Sequence, residues 1–251
     1  MSEHVRVERE SGVLSITLAR PERRNAITVA MYAALADAIG GAANDPAVRL
    51  ITLSGEGVDF TAGNDLNDFL NSPVRTGGSD LPVHRLMHAL ANNRIPLVAA
   101  VQGNAVGIGT TMLLQCDLVL AEEGCRFLMP FVDLGLVPEL ASSLIVPQLA
   151  GRRAAARTLL LAEPFGAEQA LAMGIASHVV PRGELGAKLE AIKQALLAKP
   201  AEAMRLTQQL LRTDAQDAIL ERIALENGHF AERLNSDEVK QAIASFYAKK
   251  R

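Results

Sequence analysis

Residues 96–139 constrain this chain more than any other stretch: PLVAAVQGNAVGIGTTMLLQCDLVLAEEGCRFLMPFVDLGLVPE. The opening Pro96-Leu-Val-Ala-Ala-Val is an unbroken apolar run of strand length. Such a run predicts a strand buried on both faces, the mark of a parallel sheet covered on each side. Gly103-Asn-Ala-Val-Gly-Ile-Gly follows as a glycine-punctuated turn, and Thr110 to Cys116 resumes apolar spacing suited to a packed helix. The first N–H groups of a helix lack internal partners and carry the positive end of its dipole, so a strand–turn–helix of this kind suits developing negative charge. Further on, Leu-Gly-Leu-Val-Pro-Glu places one acid, Glu139, in an otherwise apolar loop. An anion-stabilising turn and an isolated carboxylate are the parts that enolate chemistry requires.

The rest of the chain arranges itself around that stretch. Val5 to Glu8 and Val13 to Leu18 alternate apolar and polar residues about Ser11-Gly12, a hairpin signal. Arg20-Pro-Glu-Arg-Arg-Asn-Ala is a basic loop, and Thr28 is placed to cap a helix whose apolar spacing (Met31, Leu35, Ile39) ends near Gly40-Gly41. Leu50-Ile-Thr-Leu predicts the next strand. After it, Phe60-Thr-Ala-Gly-Asn-Asp-Leu repeats the small-residue turn seen at 103–109. Residues 71–80 are the most loop-like, and Pro82 to Asn92 reads as a helix with Leu81, Leu86 and Leu90 near one face.

Strand signals return at 96–101 and 117–121, so strands and helices alternate from residue 5 to about 180 and predict an α/β, spiral β/α core. Beyond Pro181-Arg-Gly the text is helical: 185–198, 201–212, 216–234 and 237–248. Two regions are therefore expected, 1–183 as the core and 184–251 as a helical tail that must dock on the core or on another subunit.

At 251 residues with 49% hydrophobic content, a sizeable core is available. No apolar run reaches the roughly 18 residues of a membrane span, and the N-terminus lacks a secretory core. A formal charge of −3 without a basic run gives no electrostatic case for nucleic acid. Cys116 and Cys125 lack metal-ligand spacing and read as reduced, buried thiols, so a cytoplasmic location is expected. His84 and His88 lie one helical turn apart, but no third ligand accompanies them, so no metal is expected. Gly107-Ile-Gly109 lacks the remaining glycine and the later acid of a dinucleotide loop.

Several of these segments together resemble the crotonase (enoyl-CoA hydratase/isomerase) family, over essentially the whole chain. Ile16-Thr-Leu-Ala-Arg-Pro-Glu-Arg-Arg-Asn-Ala resembles the family's opening segment beside the CoA nucleotide. Phe60-Thr-Ala-Gly-Asn-Asp-Leu and Gly103-Asn-Ala-Val-Gly-Ile-Gly resemble the two turns that supply oxyanion-hole amides, here at Asn64 and Ile108. Phe230 and Phe246-Tyr-Ala-Lys249 resemble the terminal helix that touches CoA.

The resemblance implies a crotonase fold with a C-terminal trimerisation region, an acyl-CoA thioester substrate of fatty acid metabolism, and a homotrimer or dimer of trimers. It implies no cofactor beyond the CoA carried by the substrate. The residues implied on the CoA side are Arg24, Ala26, Ala62, Asp65, Leu66, Phe131, Phe230, Phe246 and Lys249. Lys249 reads equally well as a solvated charge, and Asp65 primarily as a holder of its own turn.

The departures from the family pattern discriminate between reactions. The two glutamates of its hydratases align with Thr111 and Phe131. Hydration needs a base for water and an acid for the α-carbon, each contributing about 10² to 10⁴ in rate, so little hydration is expected. Glu139 instead resembles the single glutamate of peroxisomal-type Δ3,Δ2-enoyl-CoA isomerases. Leu136, Val137, Leu140 and Phe131 are expected to desolvate it and raise its pKa, against the pull of a helix start.

Other readings stay open. A plain helix-terminal acid at Glu139 would bond the Ser142 or Ser143 amides. A hydratase would use Glu139 or Asp133, a hydrolase or dehalogenase would use position 139 as nucleophile or water base, and a CoA-binding oligomer would have no activity.

Overall fold

A computed structural model describes residues 2–65 and 81–248, with side chains at all of these except 213, 214 and 243–248. Strands β1 (Val5–Glu10) and β2 (Val13–Leu18) form the expected antiparallel hairpin. Helix α1 (Val29–Ala42) starts where Thr28 accepts from the Met31 N–H at 3.3 Å, and it buries Met31, Leu35 and Ile39. Then come β3 (Leu50–Gly55), α2 (Pro82–Ala91), β4 (Leu97–Val101), β5 (Asn104–Val106) and a short α3 (Ile108–Thr111). A 3₁₀ turn at Met112–Gln115 continues α3, in place of the longer helix expected at 110–116. The middle of the chain closes with β6 (Leu118–Glu122), β7 (Arg126–Leu128), α4 (Ser142–Leu159), β8 (Phe165–Gly166), α5 (Ala167–Ala172) and β9 (His178–Val180). The tail is α6 (Leu185–Leu197), α7 (Ala201–Leu234) and α8 (Asp237–Ala248).

Among the described residues the strands form a six-stranded sheet, β1-β2-β3-β4-β6-β9, and a three-stranded one, β5-β7-β8. From β2 to β9 the large sheet is parallel, with Ile51 opposite Leu97 and Val98 opposite Leu118. β4 lies at its centre and all its residues are buried, which is why that segment carries no polar side chain at all. One face of the sheet belongs to the main core with α1 and α2. Against the other, α6 packs Leu189, Ile192 and Leu196 over Val13, Leu50, Val98, Leu120 and Val180.

The tail departs from expectation in one respect. A break at 213–215 is expected, yet α7 runs unbroken for 34 residues. Neither glycine nor proline stands there, and Thr and Asp cost a helix well under about 1 kcal/mol each, which anchoring on both sides overrides. Before that point, Arg212 bonds Asp117 at 3.1 Å. After it, Ile223, Phe230 and Leu234 enter the main core, joined by Val239 of α8. The tail therefore docks on the core formed by the first region. Among the described residues, no helix is long and apolar enough to cross a membrane.

Candidate active site

The two small-residue turns lie side by side. Thr61 donates its N–H to Asn104 O at 3.0 Å, and the Val106 N–H returns to Thr61 O at 3.1 Å. Gly63 sits at φ 83°, where a Cβ would come within 2.6 Å of Val106 O, so only glycine lets the turns approach this closely. On its other side the first turn pairs with residue 27: Ile27 N–H donates to Gly63 O at 2.8 Å and Asp65 N–H to Ile27 O at 3.0 Å. That pairing turns the intervening Asn64 N–H the opposite way, and among the described residues it donates to no backbone carbonyl.

In the second turn Gly107 adopts φ 57°, ψ −120°, a conformation essentially reserved for glycine, and Ile108 opens α3. The Thr110 and Thr111 N–H groups both close onto Gly107 O, while the Ile108 N–H finds no backbone carbonyl among the described residues. Each turn thus leaves one main-chain N–H, at Asn64 and at Ile108, without a backbone acceptor among the described residues.

The carboxyl side is built by the loop before α4. Glu139 is 3% exposed, and its Oε1 is buried without a hydrogen-bond partner. Phe131, Leu136 and Leu140 are buried with it in the main core, and Val137 packs against that core. Burial, and secondarily repulsion from Glu226, push the Glu139 carboxyl up to about 8. Desolvation therefore outweighs the helix start. The reading of Glu139 as a helix-terminal acid is corrected here, because the Ala141 and Ser143 N–H groups at the start of α4 donate instead to Glu226, at 2.6 and 3.0 Å. The Ser143 hydroxyl adds a third bond to it at 2.6 Å.

Sequence reasoning missed Glu226 and Tyr32. Glu226 had a signal: it stands at an apolar position of the helical series Ile219, Ile223, Phe230, Leu234. Tyr32 lies on the buried face of α1, and its hydroxyl donates to Asn64 Oδ1. Burial, and then the nearby Glu139 charge, push its phenol well above the ordinary value, so it remains a donor.

The remaining expected residues divide into groups. Arg24, Ala26, Ala62 and Asp65 come together: the Ala62 N–H donates to Arg24 O at 2.8 Å, and Arg20 bonds both Ala26 O (3.1 Å) and Asp65 Oδ2 (2.7 Å). The Asp65 carboxylate thus ties its turn to the 20–26 loop, and the Arg24 side chain, 3.7 Å from Asp59, remains 71% exposed. Phe131 and Phe230 are buried in the main core. Leu66 and Lys249 lie outside the described residues, as does the Phe246 side chain. Thr111 is fully buried, whereas Asp133, the alternative acid, is exposed on a 3₁₀ turn. Among the described residues no group of three or more His, Cys, Asp or Glu is placed to hold a metal ion.

Comparison with known proteins places this geometry in context. The family described as "Enoyl-CoA hydratase/isomerase" matches residues 8–251. The 1,2-epoxyphenylacetyl-CoA isomerase of Escherichia coli (strain K12) is 31% identical, over 100% of this chain and 97% of that protein. The 2,3-dehydroadipyl-CoA hydratase of the same organism is 30% identical over the same shares of both chains. Among solved structures, Pseudomonas aeruginosa OdaA superposes with a TM-score of 0.94 at 40% identity, covering 98% of this chain and 99% of that one. An isomerase and a hydratase stand at the same distance, so overall similarity does not choose between the two reactions. With the family matched across nearly its whole length, the chain belongs to the enoyl-CoA hydratase/isomerase family, the crotonases, and has their α/β fold.

Proposed function

We propose that this enzyme is a Δ3,Δ2-enoyl-CoA isomerase in which Glu139 carries the proton. The observation that supports this reading is the single buried carboxyl of the 139 loop, free of hydrogen bonds at Oε1 and raised to about 8, while the hydratase carboxylate positions hold Thr111 and Phe131.

Ionised Glu139 takes a proton from C2 of a 3-enoyl thioester. The C2 electrons move toward the carbonyl, and the negative charge of the dienolate comes to rest on the thioester oxygen, facing the Asn64 and Ile108 N–H groups. Each such donor is worth about 2.7–4 kcal/mol at the transition state. The same carboxyl then delivers the proton to C4, so the double bond ends between C2 and C3 and the enzyme is unchanged. A base raised toward neutrality accepts the weakly acidic C2 proton better than an ordinary carboxylate. The loop formed by Arg24, Ala26, Ala62 and Asp65 serves the CoA nucleotide in this reading.

The tail supports a second element of the proposal, a homotrimer or dimer of trimers. Leu206, Leu210, Leu211 and Leu225 of α7 are exposed, Leu210 by 78%, more apolar surface than one isolated leucine would present.

The deciding experiment supplies 3-enoyl-CoA and follows 2-enoyl-CoA conjugation by absorbance, with and without a coupled hydratase. Turnover that requires no water addition and is abolished in Glu139→Gln supports the isomerase. Hydration of 2-enoyl-CoA at a comparable rate, or full isomerisation by Glu139→Gln, refutes it.

A further inference from the structure

Glu226 is an anomaly in its own helix. It occupies a core position of α7 between Ile223 and Phe230 and is 5% exposed, a costly place for a carboxylate. All three of its hydrogen bonds run to residues 141–143: from the Ala141 N–H (2.6 Å), the Ser143 N–H (3.0 Å) and the Ser143 hydroxyl (2.6 Å). Arg222, one turn earlier on α7, donates to the same hydroxyl at 3.1 Å.

The turn it grips is unusual as well. Leu140 and Ala141, the two residues after Glu139, have φ of 55° and 59°, a left-handed conformation that neither side chain favours. Something outside the turn must hold it, and the Glu226 carboxylate is placed to do so. Gln115 adds a weaker bond to Leu140 O at 3.4 Å.

We infer that Glu226 is a positioning residue for Glu139: by occupying the donors at the start of α4 it denies them to the Glu139 carboxyl and keeps that group an unbonded base. The inference rests on Glu139 as proton carrier and adds what makes it one. Without Glu226, the Ala141 and Ser143 N–H groups would be unfilled helix-start donors within a few residues of Glu139, and a carboxylate bonded to such donors is a weak base. Among the described residues, the titratable groups that act on Glu139 from neighbouring elements are Tyr32 of α1 and Glu226 of α7, with Arg222 behind Ser143. Neither facing group is a cation that would steady the anion, and the Glu226 charge repels it.

The test compares wild type with Glu226→Gln, using Glu139→Gln as the reference. The kinetic readout is the pH profile of kcat/KM with 3-enoyl-CoA. Glu226→Gln is expected to move the rising limb to lower pH by about one unit or more, a tenfold or greater loss of proton affinity. It is also expected to lower kcat at the alkaline plateau by about tenfold, with KM changing by less than about twofold. A role for Glu226 that acts on Glu139 neither through its charge nor through the α4 donors would leave the limb in place, and Ser143→Ala, which keeps the charge, separates those two contributions.

Infrared titration of the Glu139 carboxyl, identified by its absence in Glu139→Gln, gives the same answer without turnover. If the wild type lacks isomerase activity but the carboxyl titration still shifts in Glu226→Gln, the reaction assignment fails and the positioning role stands. If Glu226→Gln does not fold, Ser143→Ala removes one donor alone and is expected to lower kcat with KM unmoved. An unmoved titration in the folded Glu226→Gln protein, or an unmoved kcat in Ser143→Ala, overturns the inference.

Discussion

Replacing Glu139 by Gln is expected to make the protein more stable in alkali while removing its base. In the folded chain the carboxyl rises from the ordinary 4.5 to about 8, chiefly by burial. The unfolded chain releases this proton above about pH 4.5, whereas the folded chain keeps it up to about pH 8. Through that window the native state binds more protons than the unfolded one, so stability falls as pH rises. At about 1.4 kcal/mol for each tenfold change in proton affinity, the contribution present below pH 4.5 and gone above pH 8 is roughly 5 kcal/mol.

Gln carries no proton to lose. Its buried amide has its own cost of about 1–3 kcal/mol, but that term does not depend on pH. Urea unfolding of both proteins at about pH 5 and about pH 9, at one protein concentration, reads the titrating part, Glu139 together with its coupling to Glu226, because the groups not coupled to Glu139 are common to both. The stability difference between Gln and wild type should move in favour of Gln by roughly 4 kcal/mol from about pH 5 to about pH 9, most of the full span. An unchanged difference across that range would show that Glu139 titrates like an exposed carboxylate, and the argument from desolvation would collapse.

Other perturbations read different parts of the site. Wild-type kcat/KM should rise with pH and level off above about 8, since only the ionised carboxyl accepts the C2 proton; a profile flat from about pH 6 to 9 would contradict this. Gly63→Ala would force a Cβ within 2.6 Å of Val106 O and push the turns apart. A loss of about 10² in kcat, near the effect of deleting one oxyanion donor, is expected in steady-state kinetics. Tyr32→Phe removes the hydroxyl that donates to Asn64 Oδ1. Leaving that acceptor unpaired is expected to cost about 1 kcal/mol in thermal or urea unfolding and to lower kcat more than it raises KM.

The legible parts of the sequence were those governed by local pattern. The all-apolar β4 segment, the Ser11-Gly12 hairpin and the Thr28 cap follow from periodicity and capping chemistry, and the two glycine turns followed from residues that few other conformations need. The small sheet was not legible: β5 and β7 have three residues each and β8 has two, too short to show any alternation. The continuity of α7 depends on anchors at Arg212 and Glu226 that exist only in the folded chain.

At the site, the isolation of Glu139 among apolar residues was visible and correctly implied a raised pKa. The competition for donors at the start of α4 was not, because it is decided by a residue on a distant helix. The helix-terminal reading of Glu139 had one correct donor, the Ser143 amide, and the wrong acceptor, while the Ser142 N–H closes onto the Glu139 main-chain oxygen.

The unbroken length of α7 fixes the spacing of the residues it carries. Arg212 is bound to the end of one strand, through Asp117, and Glu226 to the turn before α4, so a single rod is registered at two points. At 3.6 residues per turn, one residue inserted or deleted between them would swing everything beyond it by about 100° and carry Glu226 off its turn. Along this rod a change of length is costlier than a substitution at a solvated position. Descendants of this chain can therefore vary at solvated positions of α7 while the count of residues from 212 to 226 stays frozen.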